Sequence, residues 1–106
     1  MTRLFALLVV AVFSQGTARQ TFTGVITDSM CGKDHSQMRM GPTDAECTTA
    51  CVAAHGAAYV LSNGTNLYEL SDQQQPEPFA GKKVRVVGRV DTAKKLIVVE
   101  SIHDDN

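Results

Sequence analysis

The sequence predicts a mainly β domain: a small five-stranded antiparallel barrel, closed or nearly so, with one helix inserted after the first strand. Three observations carry this. Five short runs rich in branched and aromatic residues are spread along a chain of 106 residues, and two pairs of them flank turn sequences. One segment alone carries the start and stop signals of a helix. Short strands in a chain of this size leave exposed edges unless the sheet closes on itself.

The first eighteen residues stand apart from the domain. Arg3 opens a basic start, "LFALLVVAVF" (4–13) is apolar, and "SQGTA" supplies small and polar residues, with Gly16 and Ala18 spaced as at an A-x-A cleavage site. That is the pattern of a secretory signal peptide over 1–18. The apolar run is too short for a membrane anchor, which needs about 20 residues. The expected protein is therefore exported, secreted or periplasmic, with one domain over 19–106 and no membrane span after cleavage.

The first strand is read over 22–27, with Phe22, Gly24 and Ile26 on one face and Gly24 marking a bend or bulge. Residues 28–41 show no period and read as loop. In "PTDAECTTACVAAHG", Thr43 and Glu46 form a capping box and Asp44 suits the first turn electrostatically. Gly56 can end the helix in a left-handed conformation. The helix is therefore expected over 44–55. "AAYVLS" and "LYELS" flank "NGTN", a hairpin signal because Asn and Gly both tolerate positive φ. "DQQQPEPFAG" is a loop with Phe79 as its apolar plug.

"KKVRVVGRV" and "KKLIVVESI" flank "DTA" as a second hairpin. Val84, Val86 and Val90 share one face, and Lys83, Arg85 and Arg89 the other. The phase of the last strand is open. Leu96 with Val98 and Ile97 with Val99 are equally apolar, so either both faces are buried or a bulge shifts the register.

Composition excludes several functions. Ten Lys and Arg stand against eleven Asp and Glu, and the locally basic "GKKVRVVGR" alternates with valines, so no nucleic-acid footprint is present. No G-x-S-x-G, P-loop or H-E-x-x-H motif occurs, so no catalytic residue is named and the reading leans away from an enzyme. The chemistry gathers instead in one insertion, 28–56, which holds all three cysteines, Cys31, Cys47 and Cys51. Four residues apart on a helix, Cys47 and Cys51 project from one face. With Cys31 and His35 from the preceding loop they make a Cys₃His set suited to Zn²⁺, and the thiolates suit Cu(I) as well.

Two alternatives remain open at this stage. An exported protein meets oxidising conditions, where Cys31 could bridge to Cys47 or Cys51 and leave one thiol over in a stapled interaction module. A thiol redox protein would use Cys31 beside His35. His55 reads as a helix-terminal residue, His103 as part of a solvated tail, Met38 and Met40 as loop residues that could add thioether donors. Asp28 and Ser29 read as partners of loop backbone groups, and Asp34 and Asp44 have no spacing that marks them as ligands. Any protein or small-molecule partner of the barrel face is unspecified.

The stretches "TGVITD", "YVLS", "LYELSD" and "FAGKKVRVVGRVD…KLIVVESI" resemble the strands of small exported bacterial OB-fold-like barrels. The chain also resembles a family of short exported bacterial proteins with a D-S-x-C-G-x-x-H stretch, a C-x-x-x-C helix and this strand tail. The resemblance implies an OB-like fold and export, and transfers no activity. An OB fold places its helix after the third strand, whereas the helix here follows the first. The insertion then occupies a loop that such barrels use for ligands.

Overall fold

The computed structural model describes residues 18–32, 34, 35 and 41–105. The leader expected over 1–18 falls almost wholly outside them, as do Met38 and Met40. Five strands and one helix run in the expected order: β1 (Gln20–Asp28), α1 (Asp44–His55), β2 (Tyr59–Ser62), β3 (Leu67–Leu70), β4 (Lys83–Asp91) and β5 (Leu96–Asp104), with a 3₁₀ turn at Glu77–Phe79 before β4. The sheet closes in a ring of order β1-β2-β3-β5-β4. No helix among the described residues is long and apolar enough to cross a membrane.

One pairing departs from the all-antiparallel expectation: β3 lies parallel to β5, through Glu69↔Leu96 and Leu70↔Ile97. The reason is parity. The other four neighbouring pairs are antiparallel. Directions that alternate around a ring with an odd number of strands must leave one like-directed pair. A parallel pair cannot be joined by a tight turn, and the chain between β3 and β5 indeed travels through the 71–82 loop and all of β4.

The last strand settles its own phase. Its register against β4 shifts between Val87 and Gly88, where the partners pass from Ser101 to Val99. Glu100 is the extra residue. Ile97 and Ile102 therefore both reach the core, although they lie on opposite faces by simple alternation, while Val98 is left 45% exposed. A bulge, and not burial of both faces, is the answer.

The core is formed by Ile26, Tyr59, Leu61, Leu70, Val84, Val86, Val90, Ile97 and Ile102, with Phe22 and Phe79 packed against it. The valine face of β4 and the Phe79 plug are as the alternation implied. The turn of the first hairpin is less regular than Asn-Gly suggests. Gly64 alone takes a positive φ, while the Asn63 carboxamide oxygen accepts hydrogen bonds from the backbone of Thr65 and Asn66. Gln73 acts as a side-chain extension of the sheet. Its amide accepts from Tyr59 N at 2.6 Å and donates to Tyr59 O at 3.0 Å and Leu70 O at 2.9 Å.

The register against β4 runs through Gly24 without a shift, so no bulge lies there. There β1 approaches β2 so closely that a Cβ would stand 2.4 Å from the Ser62 carbonyl oxygen, and at Gly88 one would stand 2.1 Å from the Val98 carbonyl oxygen. Both opposing atoms are backbone and cannot swing away. Gly24→Ala and Gly88→Ala are each expected to lower stability by about 1–3 kcal/mol, the usual cost of forcing extra atoms into a packed region. Urea unfolding followed by circular dichroism measures this; a loss under about 0.5 kcal/mol in both, the range of an ordinary surface substitution, would contradict the close approach.

Candidate metal centre

Four groups meet where β1 ends. The strand delivers Thr27 and Asp28, both buried, and the chain then doubles back in one tight turn. Gly32 N donates to Asp28 O at 2.8 Å, and Gly32 holds the positive φ of 60° that the reversal needs. The Asp28 carboxylate braces the turn from within, its Oδ2 accepting from Met30 N at 3.1 Å and Cys31 N at 2.9 Å. Ser29 ties the turn to the segment before β2. Its N donates to Ala58 O, and its Oγ accepts from Ala58 N. The turn thus carries Cys31 and His35 back over the barrel end.

The helix arrives from the other side. Thr43 caps it, with Glu46 N donating to Thr43 Oγ1 at 3.1 Å, and Gly56 closes it at φ 70°. Its inward face is Cys47, Thr48 and Cys51, the stripe that four-residue spacing implied. Cys31, His35, Cys47 and Cys51 therefore lie close together. The donor atoms of Cys31, His35 and Cys47 fall within 4.8 Å of one another, and so do those of Asp28, Cys31 and Cys51. Cys31 Sγ is 4.0 Å from Cys51 Sγ, close to the edge of about 3.8 Å that a tetrahedron with zinc–sulfur bonds of about 2.3 Å would have.

No disulfide forms between any of the three cysteines. The stapled alternative is corrected on that ground, since 4.0 Å is about twice a sulfur–sulfur bond. His35 is 5% exposed and so buried beside the cysteines. His55 and His103 are exposed and take no part; His103 is bonded to Ser101 instead. Asp34 and Asp44 are exposed and also stand outside the cluster.

The protonation of His35 follows from its neighbour. The Thr27 hydroxyl donates its single proton to Gly32 O at 2.7 Å and can then only accept from His35 Nε2, 3.0 Å away. Nε2 must carry the hydrogen. In the neutral ring the lone pair is then on Nδ1, and Nδ1 has no hydrogen-bond partner among the described residues. A metal-ligating histidine is usually held in this way, with its other nitrogen donating to a fixed oxygen.

Two more buried polar atoms lack partners, Asp28 Oδ1 and Thr48 Oγ1. All three belong to the two segments that carry the cysteines. Asp28 Oδ1 is 3.8 Å from His35 Nδ1, beyond hydrogen-bond reach. Asp28 is the residue that sequence reasoning assigned only to the loop backbone. Its Oδ2 does that work, but its Oδ1 turns into the cluster, and no local pattern in "DSMCG" reveals the second role.

Two of the thiols, Cys31 and Cys51, are set against nucleophilic chemistry. Burial first, then the Asp28 charge and the neighbouring sulfurs of Cys51 and Cys47, push the Cys31 thiol up from 9.0 to about 12. Burial and Asp28 raise the Cys51 thiol as well. A reactive thiol needs the opposite shift, which neither Cys31 nor Cys51 shows. No family model, no curated protein and no solved structure matches the chain.

Metal-free Cys31 and Cys51 should therefore hold their protons to higher pH than an unfolded cysteine. A thiol whose value is raised on folding keeps its proton longer in the folded state, so stability falls as pH rises from about 9 toward about 12. The alkylation rate of folded, metal-free protein is expected to keep climbing above pH 9, while that of the unfolded chain levels off near it. Iodoacetamide kinetics with and without denaturant measures this, and a folded-state plateau below pH 8 would contradict it.

Proposed function

We propose that this is an exported metal-binding module in which Cys31, His35, Cys47 and Cys51 hold one ion, Zn²⁺ or Cu(I). The observation that carries the reading is the Nδ1 atom of His35: a buried lone pair without a hydrogen-bond partner among the described residues, on a ring fixed in its tautomer by Thr27 and grouped with the thiols of Cys31 and Cys47. A cation supplies what that atom and the thiol cluster lack. Metal binding also deprotonates coordinating thiols outright, which reverses the unfavourable ionisation of Cys31 and Cys51.

The arrangement favours a structural role over a catalytic one. Three sulfurs and one nitrogen complete a tetrahedron, whereas catalytic zinc keeps a position open for water or substrate. The ion would join the 28–35 turn to the helix. Structural zinc contributes about 10–16 kcal/mol of apparent binding free energy in small domains, far more than the remaining contacts of such a turn. Membership in the exported bacterial family, and with it cleavage of the 1–18 leader, belongs to the same proposal. It is supported by the leader's composition and by the D-S-x-C-G-x-x-H stretch.

The test is metal content measured together with free thiols, on protein exported to a bacterial periplasm and purified without an affinity tag. About one metal per chain is expected, with thiols unreactive until a chelator is added. Cys31→Ser, Cys47→Ser, Cys51→Ser and His35→Ala should each lower occupancy at least tenfold. Loading should also release protons into a weak buffer, since the thiols enter the site protonated. Protein that carries no metal and a mass two protons short, indicating a bridge, would overturn the proposal.

A further inference from the structure

The Cys₃His set does not account for every donor at this site. The second triad of donor atoms within 4.8 Å includes Asp28, and Cys31 belongs to both triads. Asp28 is fully buried, and its Oδ1 has no hydrogen-bond partner. No cationic side chain among the described residues forms an ion pair with it other than His35, at 3.8 Å through Nδ1. Oδ2 is already engaged by two backbone N–H groups, so the carboxylate cannot turn to find another partner without undoing the turn that carries Cys31. A buried anion with one oxygen held and the other bare is a costly arrangement unless a positive charge faces the bare oxygen.

We infer that Asp28 is part of the metal site, an oxygen donor or direct counter-charge through Oδ1, and that it selects a borderline divalent cation of the zinc type over Cu(I). The inference rests on the metal-binding reading above and specifies the ion. Two arguments support the choice. Cu(I) is satisfied by soft sulfur donors and gains little from a carboxylate oxygen, while Zn²⁺ accepts sulfur, nitrogen and oxygen and can expand from four ligands to five. Charge points the same way. Three thiolates and one carboxylate are all anionic, so a dication leaves less uncompensated negative charge in a buried site than a monocation does.

The same atoms could instead share a proton, with His35 as imidazolium facing Asp28. The 3.8 Å separation is too long for a charge-assisted hydrogen bond, which lies near 2.7–2.9 Å. A bound ion with bonds of about 2.0–2.2 Å to both atoms fits between them.

The test compares the wild-type chain with Asp28→Asn, each titrated anaerobically with Zn²⁺ and separately with Cu(I) against a chromophoric chelator of known affinity. Asparagine keeps one oxygen for the Met30 and Cys31 N–H groups and replaces the other by a neutral amide. Circular dichroism of metal-free Asp28→Asn reports whether the fold is retained; Asp28→Ser serves if it is not. Asp28→Asn is expected to lose at least tenfold in Zn²⁺ affinity, the scale of an outer-shell or ligand-set loss, and less than about threefold in Cu(I) affinity, since no carboxylate contributes there. Unchanged Zn²⁺ affinity, or equal losses for both ions, overturns the role of Asp28 while wild-type binding leaves the metal-binding reading standing. A wild-type chain that binds neither ion overturns both.

Discussion

A hydroxyl group has one proton to give, and Thr27 gives it to Gly32. That single direction governs the site. Because the proton is committed at 2.7 Å to a carbonyl, the Thr27 oxygen accepts from His35 Nε2, and the histidine presents its other nitrogen bare. The same bond closes the turn that brings Cys31 under the helix. The fold and the chemistry meet in one buried threonine at the end of β1. A threonine there is natural for a strand, and burial makes its bonds obligatory.

The barrel explains why this turn can be so demanding. A closed ring leaves no free edge to protect, and the helix of the insertion packs Val52 against the Val84, Val86, Ile97 and Leu61 core. The helix, by contrast, is mostly small and polar: Ala45, Thr48, Ala50, Val52 and Ala53 flank its two cysteines. Its buried residues are Cys47, Thr48 and Cys51. A helix of this kind contributes little burial energy of its own. Its position comes from its cap, its connections, the contact of Val52 with the core and whatever the sulfurs bind.

Local features were legible in the sequence because their causes are local. The Thr43–Glu46 cap, the Gly56 stop, the two hairpins and the valine face of β4 each depend on residues close together in the sequence. The β5 bulge was visible only as an ambiguity, since Ile97 and Ile102 cannot share a face without it. The parallel β3–β5 pair is not written in any segment. It follows from closure and strand count together, and so becomes deducible only once the ring is accepted. At the site, the thiol and imidazole donors were legible by type and spacing. Asp28 was not, because its importance lies in which oxygen faces which neighbour. That is set by Met30 N and Cys31 N, two groups every sequence possesses.

Conflict inside a protein that is otherwise locally consistent has a specific meaning. Cap, turns, strand alternation and core all agree here, and natural sequences tend to break such agreement at functional sites. The three buried polar atoms without partners, Asp28 Oδ1, His35 Nδ1 and Thr48 Oγ1, lie on the same two segments as the thiols that burial and a nearby carboxylate make hard to ionise. Each feature alone would be a defect. A carboxylate beside thiols opposes their ionisation, and a bare imidazole nitrogen in a dry site wastes an acceptor. One cation reverses the sign of all these terms except the Thr48 hydroxyl. It stabilises thiolate, carboxylate and lone pair together, and the attraction grows in the same low-dielectric surroundings that made the empty arrangement costly. Burial thus acts twice, against the metal-free cluster and in favour of the loaded one.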